Sequence, residues 1–366
     1  MKIINQIDVN NKNVLIRIDG DVPIENGVVI DDERLQASVP TLRYLIENNA
    51  KITIIGHIGR PNGKEVSELK MRPVEDKLIE LLGTHQNWQI LENLRFNLGE
   101  EENDPEFSKL LSTGQDLFIQ DAFATCHRAH ASTVGVAKLL PTYAGFSVQR
   151  EVENLSKILE SSDGFTIIIG GKKAETKLPV IKNLSQKCEN FLLGGVVANT
   201  FLAACDYYLG KSLIEKEVLK EAREIIKNLD DQIKLPQDLV FSESLEKEEN
   251  LKTLALDNLL DIDNSSAVDV GIKTIKEFAQ IIADSKTIFF NGNMGISEIE
   301  EFSHGTLAIT KAIVDSPAKK YAGGGDTTSF IRQHNLEDKF DFLSIGGGAT
   351  LEFLAGKTLP GLEVLG

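Results

Sequence analysis

Short apolar runs alternate with longer amphipathic segments along the whole chain. The runs at residues 14–18, 52–55, 89–91, 117–119, 165–169, 191–193, 287–290, 320–322 and 342–345 have strand length. Most lack the polar alternation of a half-exposed strand, which predicts strands covered on both faces. Segments 33–48, 73–82, 217–228 and 272–283 repeat apolar residues at helical spacing. Repeated strand-then-helix order predicts an α/β protein with parallel sheets and helices on both faces. Segment 148–161 (VQREVENLSKILES) sets Val148, Val152, Leu155, Ile158 and Leu159 on one stripe and reads as a helix connecting two domains.

Many of these strands run into polar or glycine-rich turns. The turns are Asp19-Gly20-Asp21, Gly56-His57, Asp121-Ala122, Gly170-Gly171, Gly194-Gly195, Asn291-Gly292, Gly323-Gly324-Gly325 and Gly346-Gly347-Gly348. Any single glycine can simply close a turn. A whole series at strand ends points to a site, because ligands of open α/β sheets bind at the carboxyl ends of strands. Strands of the first half end in Arg and His, those of the second half in Gly, Asp and Lys.

At 366 residues the chain is long enough for two domains. A net charge of -16 argues against nucleic acid as a partner and makes any local cluster of Arg stand out. No apolar stretch approaches the ~20 residues that span a bilayer, and no charged-then-apolar leader opens the chain. Cys126, Cys188 and Cys205 form neither a metal spacing nor a disulfide framework, and read as small buried hydrophobes in a reducing compartment. These features together read as a cytoplasmic protein. Residues 245–250 (LEKEEN) read as a solvated charged surface.

In the first half the chemistry lies in RIDGDVP (17–23), GHIGRP (56–61), ENLRF (92–96) and HRAH (127–130), with Arg34 after the first. Arg60, Arg95 and Arg128 each follow a predicted strand, so a parallel sheet gathers them at one edge. Gathered guanidiniums suit a small substrate bearing phosphate and carboxylate, since each offers a planar fork of donors. The bland reading of each Arg is a surface ion pair. HRAH has the wrong spacing for a helical zinc pair.

In the second half, IGGKKAETK (169–177) follows a strand and is expected to open a helix, with Lys173 and Lys177 one turn apart. It is not a Walker A motif. YAGGGDTTSF (321–330) is the strongest single motif. Its glycines offer successive N–H groups to phosphate, Asp326 offers a hard oxygen to Mg²⁺, and Thr327 a hydroxyl at a helix start. The bland reading of Asp326 is a helix cap. A dinucleotide-binding dehydrogenase is excluded, because residues 17–23 hold no G-x-G-x-x-G turn.

RIDGDVP, GHIGRP, ENLRF and DAFATCHRAHAS (121–132) resemble the phosphoglycerate kinase segments RVDFNVP, SHLGRP, ENLRF and DAFGTAHRAHSS, and the match runs in order to the C-terminus. The resemblance implies two doubly wound α/β domains, each a parallel sheet covered by helices, facing each other across a cleft. It implies a phosphoglycerate-binding domain of residues 1–147 with a C-terminal return at 350–366, a connecting helix at 148–161, and a nucleotide-binding domain at 162–349. By the same resemblance Asp19, Asp21, Arg34, His57, Arg60, Arg95 and Arg128 bind the 3-phosphoglycerate skeleton.

On the nucleotide side the resemblance assigns Gly171, Lys173, Lys177, Gly194, Gly195, Glu298, Gly324, Gly325, Asp326 and Thr327. Lys173 and Arg34 flank the transferring phosphoryl group as catalytic residues, Lys177 takes nucleotide phosphate, and Glu298 bonds the ribose hydroxyls. Gly194 and Gly195 wall the adenine pocket, and Asp326 holds Mg²⁺ brought with ADP or ATP. Gly346–Gly348 is suited to a hinge where the chain returns. The implied activity is reversible phosphoryl transfer between 1,3-bisphosphoglycerate and ADP by a monomeric enzyme. The alternative is a catalytically impaired nucleotide- or partner-binding protein of the same fold.

The chain departs from the family segments at Asp21 for Asn, Gly20 for a bulky residue and Val196 for a third glycine. Ile272 and Asn293 replace prolines, Ser297 an apolar residue and Ile345 a hydroxyl residue. Most surround the adenine pocket and hinge, so they bear on nucleotide preference and closing more than on the chemistry.

Overall fold

In the computed structural model, which describes every residue except 85, 86, 248 and 249, the chain divides into two compact units. One comprises Met1–Asn154 with Lys357–Gly366, the other Leu155–Gly356. The helix Phe146–Glu160 runs through the boundary. Its residues Val148, Leu155 and Ile158 are buried, as the stripe predicts.

The first unit is built on five parallel strands: β1 (Asn13–Arg17), β2 (Lys51–Ile55), β3 (Trp88–Ile90), β4 (Leu117–Gln120) and β5 (Thr142–Ala144). Their order is β3-β2-β1-β4-β5. In β1, Val14 and Ile16 join one core with Leu35, Leu42 and Leu45 of the helix Glu33–Glu47 and with Val74 and Leu78 of Arg72–Leu82. Leu15, between them, joins a second core with Phe107 and Leu111 of Pro105–Ser112. A strand whose two faces meet two different cores needs apolar residues at every position, which explains the unbroken run at 14–18. The returning C-terminus is tied in where Gly361 N donates to the Cys126 carbonyl at 2.8 Å.

The second unit carries β6 (Phe165–Ile169), β7 (Asn190–Leu193), β8 (Ile233–Lys234), β9 (Asp238–Ser242), β10 (Lys252–Ala255), β11 (Ser266–Val270), β12 (Thr287–Asn291), β13 (Lys319–Gly323) and β14 (Phe342–Ser344). Six make a parallel sheet in the order β8-β7-β6-β12-β13-β14, and three make an antiparallel sheet in the order β10-β9-β11. Ile168, Leu192, Ile288 and Phe290 of the large sheet and Phe241 of the small one share a core with Phe278 and Ile282 of Ile272–Asp284 and with Ile309 and Ile313 of His304–Asp315.

Each parallel sheet winds outward in both directions from its first strand. Ligand crevices of such sheets open at the carboxyl ends of the strands where the winding reverses, after β1 and β4 in one unit and after β6 and β12 in the other.

The antiparallel sheet is absent from the strands expected above. Its members pair residues far apart in sequence, such as Leu239 with Val270, and its outer strand is largely exposed. The segment after β6 does not open a helix at residue 171, since the helix Leu178–Leu184 starts seven residues later and Lys177 is its N-cap. The 217–228 segment starts as a tight turn, Lys216–Val218, before the helix Leu219–Leu229. Cys205 is exposed, because it ends the helix Gly195–Ala204 at the surface, while Cys126 and Cys188 are buried. Of the charged stretch 245–250, residues 248 and 249 lie outside the described residues, and Leu245 is exposed.

Candidate active site

In the first unit the crevice after β1 and β4 holds a tightly bonded polar cluster. The turn after β1 brings Asp19 under the turn after β4, where Asp19 Oδ2 accepts from Ala124 N at 2.9 Å. Two residues on, Asp21 Oδ1 accepts from Gly59 N at 2.9 Å, and the Asp21 carbonyl accepts from the Arg34 guanidinium at 2.7 Å. Arg95, in a tight turn after β3, donates to the Gly59 carbonyl at 2.7 Å. Gly59 thus has both backbone groups held, and its φ of 62° suits glycine.

His57 sits at the centre of this cluster and is 4% exposed. Burial first, then the positive charge of Arg17 and Arg95, then His130 and Arg34, hold its pKa well below the usual histidine range. The ring is therefore neutral at pH 7. Arg17 donates to His57 Nδ1 at 3.1 Å, and a guanidinium can only donate. The ring proton is thus on Nε2, facing Asp21 Oδ2 at 3.8 Å. The Asp19 carboxyl is pushed up by burial, against the pull of Arg34, the Ala124 N–H and Arg17. Burial lowers the Arg95 pKa, an effect that Glu101 opposes and that Arg17 and Arg128 reinforce.

These mutual influences tie Asp19, Asp21, Arg34, His57, Arg95 and Arg128 into one field. Arg128 is exposed. Arg60 is also exposed, and among the described residues no side-chain partner ties it to the cluster beyond its chain neighbour Gly59.

Four residues of the cluster, Arg17, Glu100, His130 and Ser132, lie outside the set that the family resemblance implies. Arg17 is the last residue of β1 and fully buried. Its guanidinium lies 4.0 Å from Glu100, which is equally buried. Glu100 also accepts from Ser132 Oγ at 2.6 Å and Ser132 N at 3.0 Å, and lies 3.6 Å from His130 Nδ1. Burial alone would raise the Glu100 pKa; His130, Arg17 and Ser132 more than offset it, and the net shift is downward. A usable signal was present for Arg17 only: an arginine closing an apolar run on a doubly covered strand must be buried and paired.

In the second unit the turns after β6 and β12 meet backbone to backbone. Gly171 N donates to the Asn293 carbonyl at 2.8 Å, and Gly195 N to the Met294 carbonyl at 2.9 Å. A Cβ on Gly195, whose φ is +56°, would lie 2.7 Å from Gly171 N. One on Gly194 would lie 2.5 Å from Met294 Sδ. Side chains at either position would close the site. Thr327 is buried, and its Oγ1 accepts from Gly292 N at 2.7 Å, so its hydroxyl joins the turn after β12 to the helix Gly325–Gln333. Gly324 has a φ of +96° and lets that helix start directly after β13.

A pocket of about 360 Å³ opens beside these turns. Gly171, Lys172 and Asp326 line it together with the apolar residues Leu213, Leu239, Val268 and Ile296. Gly195, Val196 and Glu298 also line it. Exposed Glu298 pairs with Lys172 at 3.6 Å. Gly325 and Asp326 are exposed at the first turn of their helix.

Lys173 and Lys177 do not share a helical face, because Lys173 lies in irregular backbone and Lys177 in a turn ahead of Leu178–Leu184. Lys173 is exposed, whereas Lys177 is 7% exposed. Burial lowers the Lys177 pKa to about 8, against the opposing pull of Glu215 and Asp326 and with the help of Lys173. The two lysines and Asp326 are therefore neighbours even without the helix. The bend is pinned by Glu215, whose two oxygens accept from Ala174 N and Glu175 N at 2.9 Å each. Nothing in the sequence marked that contact, which joins residues about forty apart.

A doubly wound unit closed by guanidiniums and a second closed by glycine turns, lysines and an aspartate define a two-domain α/β phosphotransferase. The chain belongs to the phosphoglycerate kinase family. The family model "Phosphoglycerate kinase" matches residues 4–89 and 83–357. Curated relatives of that name include one from Finegoldia magna, 41% identical, with 100% of this chain and 98% of that protein covered. Another, from Dictyoglomus turgidum, is 42% identical over 98% of this chain and 96% of its own length. The solved phosphoglycerate kinase of Coxiella burnetii superposes with a TM-score of 0.87 at 37% identity, covering 99% of this chain and 98% of its own. The alternative of an impaired protein of the same fold gains nothing from these matches. Among the described residues, no helix is long and apolar enough to cross a membrane.

Proposed function

We propose that the protein transfers a phosphoryl group reversibly between the acyl phosphate of 1,3-bisphosphoglycerate and ADP, giving 3-phosphoglycerate and ATP. The observation that carries this reading is the guanidinium cluster around a neutral His57. Arg34, Arg95 and Arg128, with Arg60 beside Gly59, supply charge for a compact anion bearing both phosphate and carboxylate. Neutral His57 and the carboxyls of Asp19 and Asp21 suit the hydroxyl such an acid carries. The carboxylate of 3-phosphoglycerate is already ionised, so no general base is needed. Positioning and charge neutralisation supply the rate enhancement.

In the second unit, Gly171, Gly324 and Gly325 let the backbone approach the nucleotide phosphates. Lys177 binds phosphate, Lys173 and Arg34 hold charge on the transferring group, and Gly194, Gly195 and Glu298 receive the nucleoside. Among the described residues no group of three His, Cys, Asp or Glu side chains could hold a metal ion. A single exposed carboxylate, Asp326, fits Mg²⁺, which is ordinarily held by one or two carboxylates together with substrate phosphates. When bound, Mg²⁺ neutralises phosphate charge. The same reading takes residues 1–147 with 350–366 as the acid-binding domain and 162–349 as the nucleotide-binding domain. It also takes the enzyme as cytoplasmic and monomeric.

A coupled assay with 3-phosphoglycerate, Mg²⁺ and either ATP or GTP tests the proposal. Turnover that depends on all three components is expected. Intact nucleotide binding with no turnover would refute it.

A further inference from the structure

Lys173 is exposed, and among the described residues no ion pair or hydrogen bond holds its ammonium. A flexible side chain of that kind is aimed only by the backbone it leaves from. That backbone is held firmly. The peptide joining Lys173 to Ala174 is fixed at both ends. Thr176 Oγ1 donates to the Lys173 carbonyl at 3.0 Å, and Ala174 N donates to one oxygen of Glu215 at 2.9 Å. The other Glu215 oxygen accepts from Glu175 N at 2.9 Å, so one carboxylate spans two successive N–H groups. Hydrogen bonds to an ionised acceptor are roughly twice as strong as neutral ones.

Glu215 is itself anchored. Its N–H donates to Thr200 Oγ1 at 3.1 Å, and Thr200 is fully buried on the helix Gly195–Ala204. Thr200 Oγ1 donates in turn to the Val196 carbonyl at 2.7 Å, and Val196 N donates to the Gly171 carbonyl at 3.0 Å. A closed circuit of hydrogen bonds therefore runs from Gly171 through Val196, Thr200 and Glu215 to Ala174, and returns along the chain through Lys173. Lys177 is placed by its own burial, whereas Lys173 has only this circuit.

We infer that Glu215 is a positioning residue for phosphoryl transfer: its clasp on Ala174 N and Glu175 N fixes where Lys173 meets the transferring group. The role rests on the reading of Lys173 as part of the transfer step. It assigns a duty in the chemistry to a carboxylate that touches neither substrate.

A double-mutant cycle tests it, in the coupled assay with 3-phosphoglycerate, ATP and Mg²⁺. The chains are the parent, Glu215→Gln, Thr176→Val, Lys173→Ala, and each of the first two changes combined with Lys173→Ala. Glutamine keeps the size of glutamate but has one acceptor oxygen, and sets N–H against N–H at the second contact. Thr176→Val removes the other hold on the same peptide from an exposed position, and covers a failure of Glu215→Gln to fold. Glu215 also favours the charge on Lys177, so kcat at saturating nucleotide, and not the nucleotide KM, reads Lys173. Glu215→Gln should lower kcat about tenfold and Thr176→Val about threefold, with KM for 3-phosphoglycerate unchanged. On the Lys173→Ala background either change should leave kcat within about twofold, because the aim of an absent side chain cannot matter. Unchanged kcat in both single variants, or the same proportional loss on both backgrounds, would overturn the role. If Lys173→Ala turns over like the parent, the reading of Lys173 fails first, a separate result that takes the role of Glu215 with it.

Discussion

The two crevices solve the same electrostatic problem by opposite means. In the first unit, charged side chains are buried and bonded to one another: Arg17 to His57, Glu100 to Ser132, Arg95 to Gly59. In the second, glycine turns press backbone against backbone, and Lys173, Glu298 and Asp326 remain exposed. A side-chain network pre-aims its groups, but every member depends on its partners. A backbone cradle depends on space, and is damaged by adding atoms rather than removing them. The comparison therefore predicts different failures for the two units.

The largest expected effect is on the buried network. Arg17→Met should lower stability by about 3–5 kcal/mol, because it leaves Glu100 buried with a main cationic partner gone. Chemical denaturation measures this. A loss below 1 kcal/mol would show that His130 and Ser132 suffice. Next comes Lys173→Ala, which removes an exposed group with no structural duty. Turnover should fall by about 10²–10³-fold with the fold and acid binding intact. The coupled assay and calorimetry with 3-phosphoglycerate read the two separately, and unchanged turnover would remove Lys173 from the chemistry.

Gly195→Ala tests the cradle by addition. Its φ of +56° and the 2.7 Å approach to Gly171 N should cost about 1–3 kcal/mol and weaken ADP selectively. Equal weakening of 3-phosphoglycerate would show that the two sites are not independent.

The smallest effects are titrations, and they run in opposite directions. Lys177 carries its charge below about pH 8 and loses it above. ADP affinity should therefore fall as pH rises from 7 to 9, and Lys177→Arg should flatten the profile in calorimetry. His57 is kept neutral when folded, its pKa held well below the usual value. The unfolded chain takes up a proton there near pH 6.5, so this contribution to stability is present above that pH and lost as pH falls below it. Denaturation at pH 7.5 and 5.5 should show the loss, reduced in His57→Gln.

The sequence by itself determined a good deal. Unbroken apolar runs announced strands with two covered faces, and Val14, Leu15 and Ile16 meet two separate cores as that requires. Glycine and arginine at strand ends marked both crevices, because winding order alone decides where strand ends converge. What only the tertiary structure decided were pairings between distant residues. Glu100 and His130 became members of the acid cluster, Glu215 the clasp on the lysine bend, and β9, β10 and β11 a separate sheet. Burial and neighbouring charge then decided protonation: the neutral ring of His57 and the softened charge of Lys177 follow from desolvation, which no local pattern of residue types encodes.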